Sequence, residues 1–383
     1  MDDFVRELAD RARAAGRLGL DTEFVGEGRY QPLLCLVQIA LPDGEIVLLD
    51  PIAEPFDPAP LADVLGDSDI EVVLHAARQD VALIRRDWGT PVRCVFDTQI
   101  AAGFAGLRAQ MGYDALLKAT VRKQVHKGAS FTRWDRRPLT EEQLSYARGD
   151  VEHLLAVADE LQSRLLAAGR LEWAREECRY LEEIDDGREI DALFAKLPKI
   201  GTLDPVQRAI ARELVVWRED TAQQADRPPS TVLMDATLVE IAKRRPNTTE
   251  KLSHIRGVGE ATLHRRGRSL MEAIERGAAS DPIPAEPVPK QDQGNVDAPV
   301  IALTEAFVRT RARAAGLAYE LLATRSELQR IAGWAVNGAK GTEPDVRALH
   351  GWRRELVGEE LLELLEGNRS LRVGSGGRLL IER

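Results

Sequence analysis

Residues 17–50 read RLGLDTEFVGEGRYQPLLCLVQIALPDGEIVLLD, and the fold class turns on them. Three runs, 17–25, 33–40 and 45–50, are rich in Leu, Ile and Val and bounded by Gly, Pro and Asp, which predicts three strands. Leu41-Pro42-Asp43-Gly44 between the second and third is a turn signal, so these two should form a hairpin. Downstream, EVVLH (71–75) runs into a helical pattern at 76–87, and a short strand near 92–96 precedes a helix from Asp97. Strand–helix alternation after a hairpin predicts an α/β domain whose mixed sheet includes parallel strands. Residues 140–165 read as one long helix, with Thr140 as N-cap and Glu141 and Glu142 in the first turn, where the helix dipole favours acids.

From Pro205 the strand signals stop. Residues 205–279 show helical periodicity interrupted by Arg227-Pro228-Pro229-Ser230 and Arg245-Pro246-Asn247, and 301–368 are helical again. Residues 281–299 contain five prolines and almost no bulky apolar side chains, the composition of a linker. The expected organisation is an α/β domain over 1–200, a small all-α domain over 201–280, a Pro-rich linker over 281–300, and a second helical domain with a Gly-rich tail over 301–383. RARAAG occurs at 11–16 and 311–316, which in an Ala/Arg-rich chain reads as coincidence.

The 383 residues suffice for two or three domains, and 44% hydrophobic with 30% charged residues is ordinary soluble composition. The longest nearly apolar run, Leu33–Leu41, is less than half of the roughly 20 residues a membrane helix needs. The acidic start, Met1-Asp2-Asp3-Phe4, lacks the basic-then-apolar order of a signal peptide. Cys35, Cys94 and Cys178 are too few and too scattered for a disulfide framework or a cysteine zinc site. A reduced, cytoplasmic setting is expected. The net charge of −10 argues at first against nucleic acid, but it is uneven: residues 172–191 hold nine acids against three bases, whereas 118–137 hold seven Lys/Arg against Asp135 alone. Phosphate binding depends on local patches, so the second stretch permits it.

The acids at three separated places carry the chemistry. Asp21 and Glu23, two apart on a strand, face the same side. Asp80 lies in the helix that follows a strand, near the carboxyl edge of the sheet where α/β proteins build sites. Tyr146 and Asp150, four apart on the long helix, share a face among Leu144, Val151, Leu154 and Leu155. Each has a bland reading alone: a strand end in water, a dipole-favoured acid, a solvated helix face. Together they supply what two Mg²⁺ ions need, several carboxylate oxygens from different elements, with a tyrosine hydroxyl to orient the attacking water.

DTEF (21–24) followed by PLLCLVQIA (32–40) resembles the first exonuclease motif of ribonuclease D. HAARQD (75–80) resembles its second, FDTQIAA (96–102) the neighbour of that motif, and SFTRWDRRPLTEEQLSYARGDVEHLL (130–155) its third, in the tyrosine-bearing form. The resemblance covers about residues 1–200. It implies a ribonuclease H-like fold and 3′→5′ hydrolysis of RNA to nucleoside 5′-monophosphates, dependent on two Mg²⁺ with Mn²⁺ as a substitute. It makes Asp21, Glu23, Asp80 and Asp150 metal-binding acids and Tyr146 the residue that positions the water. RNA with a free 3′ end, such as a tRNA precursor, is the implied partner. Residues 205–280 resemble the helicase-and-RNase-D C-terminal (HRDC) domain, and 301–368 fit a second, divergent copy by position and length. The same carboxylates serve DNA exonucleases, and a non-catalytic RNA-binding scaffold is the alternative of another class.

Further RNA contacts are expected from Phe24 beside the acids, and from Lys127, Arg133 and Trp134 in the basic stretch. Trp134 reads equally as a core or interdomain anchor. In the helical domain, Arg256, Gly257, Gly259 and Arg265 surround a glycine-bearing turn that could approach a phosphate or serve only as a tight helix connection. His75 reads as a hydrogen-bonded core histidine, and Asp97 as an N-cap.

Overall fold

In the computed structural model, which describes residues 1–124, 133–185, 187–284, 296–336, 338–339 and 342–383, the first half of the chain is organised by a five-stranded sheet. Its strands are β1 (Arg17–Val25), β2 (Leu33–Ala40), β3 (Ile46–Leu49), β4 (Glu71–Leu74) and β5 (Val95–Asp97), in the order β3-β2-β1-β4-β5. β1–β2 and β2–β3 are antiparallel; β1–β4 and β4–β5 are parallel. The expected hairpin and mixed sheet are both present.

Eight helices accompany the sheet: α1 (Asp2–Ala15), α2 (Ala59–Leu65), α3 (Arg78–Trp88), α4 (Thr98–Phe104), α5 (Tyr113–Thr120), α6 (Glu141–Glu152), α7 (Leu154–Ala167) and α8 (Leu171–Arg179). Seven of β2's eight residues are buried, so it is covered on both faces. One cover includes α1 and α2 through Val5, Leu8, Leu61 and Leu65; α6 and α7 lie on the other.

The single helix expected over 140–165 is two. α6 ends at Glu152, His153 leaves the helical region at φ −114°, ψ 6°, and α7 starts at Leu154. The break lets α6 lie along β1–β3 while α7 turns onto β4, α4 and α5. Thr140 caps α6 as expected, in a full capping box with Gln143.

The second half of the chain forms two helical regions. Helices at Pro205–Gln224, Asp235–Arg244 and Glu260–Ala279 enclose a core of their own, around Leu214, Trp217, Leu238, Ile241 and Leu270. Ile190, Leu193, Phe194 and Leu197, which precede it in the chain, pack into this same core. The C-terminal helices, among them Ala298–Ala315 and Arg325–Val336, do otherwise. Their Phe307, Val308, Ile331 and Trp352 are continuous with Phe104, Leu116, Leu161 and Ala174 of the α/β domain. Trp352 packs edge-on to Phe104 (5.0 Å) and stacks on Trp173 (5.3 Å). The Gly-rich tail, to which the sequence assigns no element, carries two strands: β6 (Ser370–Val373) and β7 (Leu379–Glu382) form an antiparallel pair. Their turn uses Gly376 and Gly377 at positive φ.

Candidate active site

Parallel pairing of β1 with β4 ends at Gly19↔Val73, so residues 21–24 overhang the carboxyl edge of β4. α3 starts there and brings Asp80 up to the overhang. α6 crosses the same face of β1 and brings Asp150 down onto it. The result is a carboxylate triangle: oxygens of Asp21, Glu23 and Asp150 lie within 4.8 Å of one another. Asp80, 7% exposed, stands outside this triangle, its Oδ1 accepting from the Thr22 hydroxyl at 2.5 Å. Thr22 points away from Asp21 and Glu23 because successive strand residues alternate, and so meets Asp80 from the other side.

Four acids at such spacing resist ionisation. Burial pushes Asp21 well above the usual carboxylate range, and the charges of Asp80, Asp150 and Glu23 add to it. Glu23 rises to about 8, by burial and then by Asp150 and Asp80. Burial raises Asp150 to about 7, against a hydrogen bond from Tyr146, and Asp80 to about 6, against the Thr22 bond. The Tyr146 hydroxyl is held protonated by burial and by the Asp150, Glu23 and Asp21 charges, so it remains a donor. An all-oxygen donor set that repels itself fits a hard divalent cation.

Asp97 organises the edge. It is 2% exposed and caps α4, accepting from the Gln99 (2.7 Å) and Ile100 (3.3 Å) amides. It also accepts from the Ala76 (3.2 Å) and Ala77 (2.8 Å) amides just before α3, where Ala76 has φ +57°. The N-cap reading was right, and its second role, fixing the start of Asp80's helix, had no sequence signal. His75 is the expected hydrogen-bonded histidine, its Nδ1 2.9 Å from Thr98 Oγ1 and its ring kept neutral by burial.

The described part of the basic stretch combines a buried anchor with exposed charge. Trp134, read as a stacking platform or an anchor, is the anchor. It is 5% exposed and packs with Cys35, Leu36 and Ala147, its ring 6.2 Å from that of Tyr146. Arg137 ties the loop to the sheet through both Asp50 oxygens and the Cys35 carbonyl. Arg133 is exposed but paired with Asp135. It lines a polar cavity of about 600 Å³ with Glu27, Arg29, Asp226 and Arg227, between the β1–β2 loop and the first helical region. Lys127 lies outside the described residues. Phe24 is half-buried at a register shift in β1, where Glu23 pairs Leu36 but Phe24 pairs Leu34. Arg256, Gly257, Gly259 and Arg265 belong to the first helical region and are not part of the acid cluster. Ile255 and Val258 seat their turn in that core, and a Cβ on Gly257 would strike Thr237.

Against known proteins, residues 1–166 match the 3′–5′ exonuclease family model and residues 207–274 the HRDC domain. Ribonuclease D of Nitrobacter hamburgensis is 34% identical over 393 aligned positions that span all of both chains. This chain belongs to the ribonuclease D family. It is accordingly a hydrolytic exoribonuclease of the 3′→5′ type. Ribonuclease D of Granulibacter bethesdensis is also 34% identical, over 91% of this chain and 87% of its own. The crystal structure of Escherichia coli RNase D, described as an exoribonuclease involved in structured RNA processing, superposes with TM-score 0.81 at 27% identity. The match covers 96% of this chain and 97% of that one. The expected α/β exonuclease fold with a mixed sheet, followed by a helical region with an HRDC domain, is thus present. Among the described residues no helix is long and apolar enough to cross a membrane.

Proposed function

We propose that this ribonuclease D trims RNA from the 3′ end by a two-metal-ion mechanism, in the cytoplasm, with tRNA precursors as the physiological substrate. The observation that carries the reading is the convergence of Asp21, Glu23 and Asp150 within 4.8 Å on a chain of this family. Asp21, Glu23, Asp80 and Asp150 would hold two Mg²⁺, or Mn²⁺ in their place. Such ions, when bound, activate a water and stabilise the leaving oxygen. The chain's own residues do the rest. Tyr146, braced by Trp134, presents a protonated hydroxyl that orients the attacking water. The water oxygen bonds to phosphorus, the P–O3′ bond breaks, and the 3′-oxygen leaves with a proton. One nucleoside 5′-monophosphate departs and the shortened strand keeps a free 3′-hydroxyl. Phe24 at the lip of the overhang contacts the terminal nucleotide. Arg133, with Lys127 of the same stretch, meets the phosphates behind it. Arg256, Gly257, Gly259 and Arg265 contribute a more distant phosphate contact from the HRDC turn.

The test is a time course on 5′-labelled single-stranded RNA with Mg²⁺ or EDTA, using wild type and Asp150→Ala. The expected result is a ladder shortening from the 3′ end that EDTA and the substitution both abolish. Absence of shortening on any RNA or DNA strand with either metal would overturn the reading.

A further inference from the structure

β2 is apolar along almost its whole length, LLCLVQIA, and Gln38 is its one polar side chain that could form several hydrogen bonds. It is 0% exposed. Neither its Oε1 nor its Nε2 has a hydrogen-bond partner. A fully buried primary amide with nothing to bond is expensive, and buried polar groups nearly always find partners. Leu or Val would fill the position at no such cost.

The sheet register says what the amide faces. Gln38 sits directly opposite Asp21 in the antiparallel β1–β2 pair. Opposed residues project to the same face with their Cβ atoms about 5 Å apart. That face is the one covered by α6 and α7: two residues back in β1, a Cβ on Gly19 would touch Ala40 at 3.4 Å and Leu154 at 3.5 Å. The other sheet residues around this position on the face are Leu36, Ala40, Glu23 opposite Leu36, and Leu48 opposite Gln38 in β3. Asp21 is therefore the polar sheet residue directly opposite the amide, with Glu23 one pair further along.

Resting on the two-metal reading of the acid cluster, we infer that Gln38 is a positioning residue for Asp21. Its NH₂ donates to the Asp21 oxygen that faces away from the metal when the carboxylate is engaged. Partners of this kind fix the orientation of a ligating carboxylate, and losing them typically weakens metal affinity about 10–100-fold. The idle amide of the free protein is then a cost carried for the loaded state. Thr22 does the comparable task for Asp80, with its bond already made.

This assignment separates stability from binding in sign. Gln38→Leu and Gln38→Met, made in the full chain, replace the amide with apolar side chains of similar size. Two readouts are taken. One is the melting temperature in EDTA; the other is Mn²⁺ binding, by calorimetry or by the EPR signal of free Mn²⁺, without RNA. The expected result is a melting temperature equal to or above wild type and Mn²⁺ binding at least 10-fold weaker in both variants. The Mg²⁺ concentration for half-maximal RNA shortening should rise in parallel. Unchanged Mn²⁺ binding would overturn the assignment. So would a lower EDTA melting temperature in both variants, because the amide would then have a structural partner. A wild type that neither binds Mn²⁺ nor shortens RNA would instead sink the metal reading on which this inference stands.

Discussion

Glu23→Gln should stabilise the metal-free protein, and only where pH is high enough to matter. Burial and the neighbouring Asp150 and Asp80 charges raise Glu23 from an ordinary 4.5 to about 8. A group raised in the folded state binds its proton more tightly there than in the unfolded chain. Its contribution is fully present below pH 4.5 and is lost as pH climbs through 8. The whole span is worth about 5 kcal/mol. Asp150 and Asp80 titrate in the same field, so a difference of about 2–5 kcal/mol is expected. Glutamine keeps the shape, carries no charge at any pH and loses nothing. The variant and wild type should match near pH 4.5, then diverge by up to roughly 1.4 kcal/mol per pH unit, with the gap levelling above pH 8. Urea titrations of the full chain in EDTA at pH 5, 7 and 9 read this directly. Adding Mg²⁺ at pH 9 should reverse the order if Glu23 holds the ion as proposed, because a ligand stabilises the state that binds it and the variant puts a neutral amide in place of the carboxylate. A variant advantage of equal size at pH 5 and pH 9, or none at pH 9, would refute the claim that the acids repel one another in this cluster.

Three further outcomes follow from other parts of the molecule. Thr22→Val preserves shape but leaves buried Asp80 without its hydroxyl donor; the Mg²⁺ requirement for RNA shortening should rise, with a stability loss of about 1–3 kcal/mol in denaturant melts. Trp352→Ala, in the C-terminal helices, should cost about 3–5 kcal/mol. It should lower the melting transition of the exonuclease domain itself, as tryptophan-independent hydrogen exchange of α4 and α7 would report, because the two share one core. RNA binding should weaken steeply between low and physiological salt, since phosphate contacts release counterions; fluorescence anisotropy that ignores salt would remove the basic stretch from the RNA path.

What was legible in the sequence was what neighbours in the chain decide. Thr140 caps α6 and Asp97 caps α4 because a cap needs only the next three residues. Asp21 and Glu23 share a face because the strand period is two. Even RARAAG, dismissed as coincidence, marks the same local event twice: Gly16 and Gly316 both end helices in the left-handed conformation. The illegible features depend on partners far along the chain. Arg137 looked like one more base in a basic run until both oxygens of Asp50, 87 residues away, accepted from its guanidinium. Trp134 could not be told from a stacking residue without Leu36 and Ala147. The C-terminal helices read as a free module because nothing local says that Trp352 meets Phe104 and Trp173.

The same division explains how the site is held. Acids that repel one another cannot assemble themselves, so the elements that carry them must be fixed by something else. β1 is fixed by antiparallel pairing with β2 along the overhang. α3 is fixed by Asp97, whose carboxylate gathers the Ala76 and Ala77 amides as well as its own helix. α6 is fixed by its capping box and by the Trp134–Arg137 loop, which Asp50 and the Cys35 carbonyl hold to the sheet. None of these holding contacts belongs to the carboxylate triangle. A substitution in them should therefore change the geometry of the acids without changing their number. Asp97→Asn is the sharpest case. It keeps the size of a cap residue but offers one acceptor oxygen where two are used, so either Ala77, or Ala76 together with Gln99 and Ile100, must go unsatisfied. With all four acids of the cluster intact, hydrolysis should still fall and the Mg²⁺ requirement rise. Wild-type metal dependence in Asp97→Asn would mean that α3 is placed by packing alone.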